Sequence, residues 1–368
     1  MISLRGPSSC LGLFRPHSRC SSTLGLWLIA LFLVRSASVL YAQRSPFNGL
    51  QVLPADSTDH YRILIGGHFH GESTNRSGYP AATLLANLDT INSLGANLFL
   101  STGDLFMDPV HDVPRYERSF FSKLKVPLFN AVGNHDTDEG RQMELNAFNG
   151  EAYGFGNTWY FPAGADPCLI FDTEKDDGSL IKQEWDMLRQ LADGKMRRLF
   201  IISHRPIWAE DDPQYSPLFE GNTRSLTGTN FQKDVYPLLE KIAEHAHVYW
   251  ISGSMGGSAP SSIFFQEHAK NITYIQCAIR DEPRDALLIA DVYPDSVKWS
   301  SFSLTGQILL APEAYNVAWW REHLGKSGGF NWRLVPYLVK TTVLRKEFWW
   351  GTLAGVLLLL VARRLYRR

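Results

Sequence analysis

Three apolar runs in this chain each end in a turn that carries an acid, an amide or an imidazole. That repetition constrains the fold more than any other feature. Val126-Pro127-Leu128-Phe129-Asn130-Ala131-Val132 runs into Gly133-Asn134-His135-Asp136. Asn97-Leu98-Phe99-Leu100 runs into Ser101-Thr102-Gly103-Asp104, and Leu199-Phe200-Ile201-Ile202 into Ser203-His204. Short continuous apolar runs bounded by turn residues read as buried strands. Strands that all deliver polar side chains at their C-terminal ends predict one convergent site at a sheet edge.

The rest of the body fits that frame. Arg62-Ile63-Leu64-Ile65 reads as a strand, and Leu84, Leu85, Leu88 and Ile91 give helical spacing across 81–93. Helical patterns follow at 115–124, 180–191 and 235–246. Strand patterns lie at 158–161, 168–171 and 247–251, and shorter alternating strands run from Ile272 to Ser303. This alternation with a β-rich end predicts an α/β domain whose sheet layer is completed late. Hydrophobic residues make up 45% of 368 residues, enough to bury a sizeable core. The formal net charge is −1, which argues against a nucleic-acid binder driven by a basic surface.

Both ends carry apolar segments. Arg5, Arg15 and Arg19 precede the stretch Leu24 to Val34, and Ala42 offers a cleavage point before Gln43. Residues 1–42 therefore read as a signal peptide or an uncleaved anchor. At the other end, 348–362 is apolar and 363–368 is basic. A helix over 348–362 would cover about 22 Å at ~1.5 Å per residue. Leu365 and Tyr366 extend that span while the arginines snorkel, and Trp349 and Trp350 suit the opposite interface. The expectation is a single-pass C-terminal membrane helix with its basic tail in the cytosol and the body outside it. Residues 306–347 read as an aromatic and basic linker. Its Trp319, Trp320, Phe330 and Trp332 either meet the bilayer surface or pack on the domain. The two cysteines of the body, Cys168 and Cys277, permit one disulfide in that compartment. Asn75-Arg76-Ser77 and Asn271-Ile272-Thr273 fit the glycosylation triplet.

In order and separation, the motifs over 60–305 resemble those of the calcineurin-like metallophosphoesterases. The second motif of that family is matched by Gly103-Asp104, the third by Gly133-Asn134-His135-Asp136, and the fourth by His204 in Ser203-His204-Arg205-Pro206. The stretch from Phe171-Asp172-Thr173 through Glu184-Trp185 is also similar. The resemblance implies a two-layer β-sandwich flanked by helices, a divalent-metal centre and a phosphoester substrate. It implies that Asp104 bridges the metals, that Asn134 and His204 bind the second one, and that His135 assists the leaving group. The outer motifs depart from the pattern. His68-Phe69-His70-Gly71 stands where Asp-x-His-Gly is expected, and Gly253-Ser254-Met255-Gly256 where Gly-His-x-His is expected.

The expectation is a degenerate site for one or two divalent ions, with His68, His70 and Asp104 implied for the first and Asp104, Asn134 and His204 for the second. Three protein ligands suffice for a catalytic metal. Imidazoles with one carboxylate favour zinc, iron or manganese over magnesium. The expected activity is metal-dependent phosphoester hydrolysis by a membrane-anchored domain. The alternative is a catalytically impaired binding protein of the same fold. Arg205 reads as a salt-bridge partner or a phosphate contact, and Asp108 and His111 as solvated loop residues.

Overall fold

β1 (Tyr61–Gly66) sends alternate side chains into two different cores. Ile63 and Ile65 join one cluster and Leu64 the other. That strand lies in a computed structural model of the chain that describes residues 43–52, 60–72, 75–136, 158–164, 166–219, 222, 228–255, 260, 262–324, 343 and 346–367. The expected leader, 1–42, lies outside the described residues.

β1 pairs in parallel with β2 (Leu98–Ser101), which pairs in parallel with β3 (Leu128–Asn130). The other edge of β1 takes the hairpin β10 (Ala286–Val292) and β11 (Val297–Ser303), both antiparallel. The resulting five-stranded sheet runs β11-β10-β1-β2-β3. A second sheet of six strands runs β4-β5-β6-β7-β9-β8. It comprises β4 (Trp159–Ala163), β5 (Asp166–Ile170), β6 (Arg198–Ile202), β7 (His247–Ser252), β8 (Ser262–Ala269) and β9 (Ile272–Ala278). Within it β5, β6, β7 and β9 are parallel.

The two sheets pack face to face. Phe129 of β3 meets Phe161 of β4 with ring centroids 4.5 Å apart, and Trp299 of β11 meets Tyr249 of β7 at 5.3 Å. The Tyr61 hydroxyl donates to Asp166 across the same gap at 2.6 Å. The outer face of the five-stranded sheet is covered by Leu84, Leu88, Ile91, Tyr116 and Phe120 from helices and turns. Helices Lys182–Ala192 and Tyr236–Ala243 supply Leu188, Ala192, Leu239 and Ile242 to the cluster shared with the six-stranded sheet. The architecture is therefore a mixed α/β fold with two sheets and flanking helices, as expected.

Several local expectations change. The helix read over 81–93 is two short ones, Ala82–Ala86 and Leu88–Ser93, broken at Asn87. The Asn87 amide turns back to the carbonyls of Thr83 and Leu304 instead of pointing to solvent. The helix read over 115–124 starts earlier, at Pro109, where a proline without an N–H fits the first turn. Asp108 and His111 are exposed and 2.9 Å apart, but they sit at that helix start and not in a loop. Cys168 and Cys277 are both free and buried, so the permitted disulfide does not form. The Cys277 thiol faces the Ile65 carbonyl instead.

Part of the supposed linker belongs to the domain. Helix Val317–His323 lays Val317 and Trp320 into the core, and the Trp320 indole donates to the Ile263 carbonyl at 3.0 Å. Phe330 and Trp332 lie outside the described residues. At the far end Lys346–Tyr366 forms one helix, and Phe348–Tyr366 is long and apolar enough to cross a membrane. At ~1.5 Å per residue it covers about 30 Å, close to a hydrocarbon core.

Candidate metal centre

The parallel strands β1, β2 and β3 all end at one edge of their sheet, and the parallel strands β6 and β7 at one edge of theirs. The loops that leave these ends carry Gly67-His68, Gly103-Asp104, Gly133-Asn134, His204-Arg205 and Gly253-Ser254. Thr102 ties the two edges together. Its hydroxyl donates to the Cys277 carbonyl of β9, its N–H to the Gly66 carbonyl of β1, and its carbonyl accepts from the Nδ1–H of His204 at 2.9 Å. Close approach demands glycine here. A Cβ on Gly253 would stand 2.1 Å from the Thr102 hydroxyl, and one on Gly133 2.2 Å from Asp104 Oδ1. The loop at Gly253-Ser254 thus carries the glycine that packing requires.

Asp104 is the centre of the site and is buried. Its Oδ2 lies 3.1 Å from His68 Nε2, 3.5 Å from His204 Nε2 and 4.0 Å from His70 Nε2. The ligand atoms of His68, His70 and Asp104 all lie within 4.8 Å of one another. Its other oxygen accepts the backbone N–H of His135 at 2.9 Å. Burial opposes the charge on Asp104, but His204, His68, His135 and His70 outweigh that and hold the carboxyl below its usual range. Burial drives His68 well below the ordinary imidazole value and His70 down to about 4, against the pull of Asp104. Both rings are therefore neutral at physiological pH, the state a metal needs.

The decisive observation is what these rings fail to bond. Nε2 of His68, both ring nitrogens of His70 and Nε2 of His204 are buried without a hydrogen-bond partner. Buried polar atoms are rarely left so. With Nδ1 of His204 donating to Thr102, its Nε2 is left with a free lone pair, the tautomer a metal ligand requires. His68 and Asp104 also sit at positive φ, 52° and 56°, a conformation strained for side-chain-bearing residues. Orphaned nitrogens, one carboxylate and local strain at the same spot fit a divalent cation held by His68, His70 and Asp104, with His204 beside them.

The remaining site residues separate into two groups. His135 is half-buried, its ring 5.2 Å from that of His70, on the approach to the cluster. Asn134 is exposed, and its Oδ1 accepts from Arg205 Nη2 at 2.8 Å. Arg205 itself is clamped by Glu174 through Nε and Nη2, and its Nη1 donates to the Asn222 carbonyl and the Ser254 hydroxyl. The backbone N–H of Arg205 donates to Thr173.

Three supporting residues were not among the site residues expected from sequence. Asp136 is buried, and accepts from the N–H groups of Asp104, Gly133 and Phe106 and from the Asn130 amide. Burial, and then the neighbouring Asp104 carboxylate, push its pKa up to about 6. The signal was its position, closing the turn of the third motif. Asn75, read as a glycosylation site, spends its amide on the His70 and Tyr79 carbonyls. Glu174 carries no sequence signal beyond its place in the segment before the fourth motif.

Fold and centre together define a mixed α/β domain of two sheets with a candidate metal site at converging strand ends. Residues 61–225 match the model of the calcineurin-like phosphoesterase family, so the resemblance read from the motifs holds over that segment. No curated protein gives a significant match to the chain. Among solved structures, a dimetal phosphatase from Danio rerio is similar at 11% identity, covering 68% of this chain and 99% of its own, with a TM-score of 0.46. Vps29 from Entamoeba histolytica, complexed with zinc, is similar at 12% identity over 68% of this chain and 96% of its own, with a TM-score of 0.33.

Proposed function

We propose that the protein is a membrane-anchored, metal-dependent phosphoesterase that hydrolyses a phosphate ester outside the cytosol. The observation that carries this reading is the set of unpartnered imidazole nitrogens around Asp104. Asp104 would hold the cation, with its other oxygen fixed by the His135 N–H. His68, His70 and His204 present neutral nitrogens without needing to shed protons first. The bound metal would supply a Lewis acid and a water of lowered pKa. His135, half-buried with its ring 5.2 Å from that of His70, would protonate the departing alkoxide. The metal set proposed is zinc, iron or manganese, because imidazoles outnumber carboxylates. The apolar helix Phe348–Tyr366 with Arg363, Arg364 and Arg367 at its end supports a cytosolic tail and a body on the opposite side.

The test uses full-length protein in detergent. Metal content is measured after loading with Zn²⁺, Fe²⁺ or Mn²⁺, alongside hydrolysis of generic phosphomonoester and phosphodiester substrates. Wild type is expected to hold metal and turn over, and Asp104→Ala to lose both. The altered fifth motif favours a second reading, a ligand-binding domain without catalysis. Wild-type protein that retains metal but hydrolyses neither ester class would decide for it.

A further inference from the structure

We propose that the centre holds one dication, and that the guanidinium of Arg205 occupies the second cationic position. The proposal rests on the metal-dependent reading above and sharpens it. His204 and Asn134, the two residues implied as private ligands of a second ion, go different ways. His204 Nε2 turns to Asp104 Oδ2, the oxygen that His68 Nε2 also approaches. The His68 and His204 rings stack 5.8 Å apart. Asn134 Oδ1 instead accepts from Arg205. The imidazoles thus gather around one point, and the amide serves a different cation.

What surrounds Arg205 resembles a coordination shell. An amide oxygen from the third motif, a carboxylate from Glu174, a hydroxyl from Ser254 at the fifth motif and the Asn222 carbonyl all face it. Oxygen donors of that kind suit a hard cation. Here they meet the five N–H groups of a planar guanidinium, which is permanently charged. Arg205 follows His204 directly, so the fourth motif delivers both a ligand to the first position and a cation to the second. Two buried carboxylates, Asp104 and Glu174, offset two of the three positive charges of one dication and one guanidinium. A second dication would leave positive charge uncompensated in a poorly solvated site.

Mn²⁺ alone is the probe, with full-length protein in detergent. Equilibrium dialysis gives the stoichiometry, and electron paramagnetic resonance separates an isolated ion from an exchange-coupled pair. Wild type and Arg205→Lys are expected to bind one uncoupled Mn²⁺ per chain. Arg205→Ser, which leaves Glu174, Asn134 and Ser254 facing a gap, is expected to move from one ion towards two with a coupled signal. If that variant does not fold, the double variant Arg205→Gln, Glu174→Gln removes both charges and is expected to keep the single ion. Two ions in wild type, a folded Arg205→Ser that stays at one, or a double variant without its ion would overturn the proposal. Two ions with ester hydrolysis intact would sink only this inference. No ion and no hydrolysis would sink the phosphoesterase reading as well.

Discussion

Asp136 offers the most exacting test of how the site is held together. Its Oδ2 accepts from Asp104 N at 2.9 Å, Gly133 N at 3.0 Å and Asn130 Nδ2 at 3.0 Å, and its Oδ1 from Phe106 N at 3.2 Å. Asn at this position keeps one oxygen, which can serve the three Oδ2 donors, and loses only the Phe106 contact. Ala loses all four. Both variants are neutral, so the repulsion from Asp104 cancels when they are compared with each other. Three buried donors without acceptors then separate them, at ~1–3 kcal/mol each. Asp136→Ala should be at least about 3 kcal/mol less stable than Asp136→Asn, a large share of the ~5–15 kcal/mol available to a domain. Against wild type the sign depends on pH. The folded pKa of Asp136 is raised to about 6, so its stabilising contribution is complete below its unfolded value and is lost as pH rises through 6. Asp136→Asn should therefore be destabilising at pH 5 and close to neutral at pH 8. Urea unfolding of metal-free protein, followed by tryptophan fluorescence, measures each difference. Equal stability of the two variants at pH 8 would refute the hydrogen-bond account.

His70 gives a second pH signature. Its folded pKa near 4 lies below the unfolded value of about 6.5, so the unfolded chain binds the extra proton between them. Metal-free protein should lose about 3 kcal/mol as pH falls through that window, and His70→Gln should lose less; parallel pH–stability curves for the two would contradict this. Trp320→Ala removes a buried indole and its bond to the Ile263 carbonyl, and should cost about 3–5 kcal/mol in thermal or urea unfolding. No measurable loss would return helix Val317–His323 to the status of a linker. Deleting 346–368 should shift the protein from the membrane to the soluble fraction with its metal content unchanged, read by fractionation and elemental analysis.

The sequence made the framework legible because buried parallel strands write themselves as apolar runs with polar endings. β1, β2, β3, β6 and β7 were all visible that way, and so was the convergence of His68, His70, Asp104 and His204. Asn87 and Pro109 were misread because helix breaks and starts depend on where a side chain finds a distant carbonyl or a first-turn slot. β8 escaped notice since Ser262–Ala269 owes its strand state to pairing with β9 and to the helix docked on it. That Asn134 spends its amide oxygen on Arg205 was beyond sequence altogether. Both stand at strand ends in the expected order, and only the structure shows Arg205 donating to Asn134.

The same features that make the centre metal-ready make it costly without metal. Four imidazole nitrogens are buried without partners, His68 and Asp104 sit at positive φ, and the Asp136 carboxyl is repelled by that of Asp104. Each orphaned polar atom costs ~1–3 kcal/mol and each strained residue a similar amount. Nothing within the loops offsets such a sum, so the strands beneath must hold the geometry. Ile63, Leu100, Phe129, Ile201 and Ile251, fully or almost fully buried directly below the loops, are the residues that do so. Cation binding would relieve the orphaned nitrogens and the excess negative charge together, and by mass action would then stabilise the fold. Arg205 needs no such relief, since Glu174, Asn134, Ser254 and Asn222 already satisfy it. That asymmetry, unpartnered nitrogens around Asp104 and a fully partnered Arg205, is what the proposal of a single ion rests on.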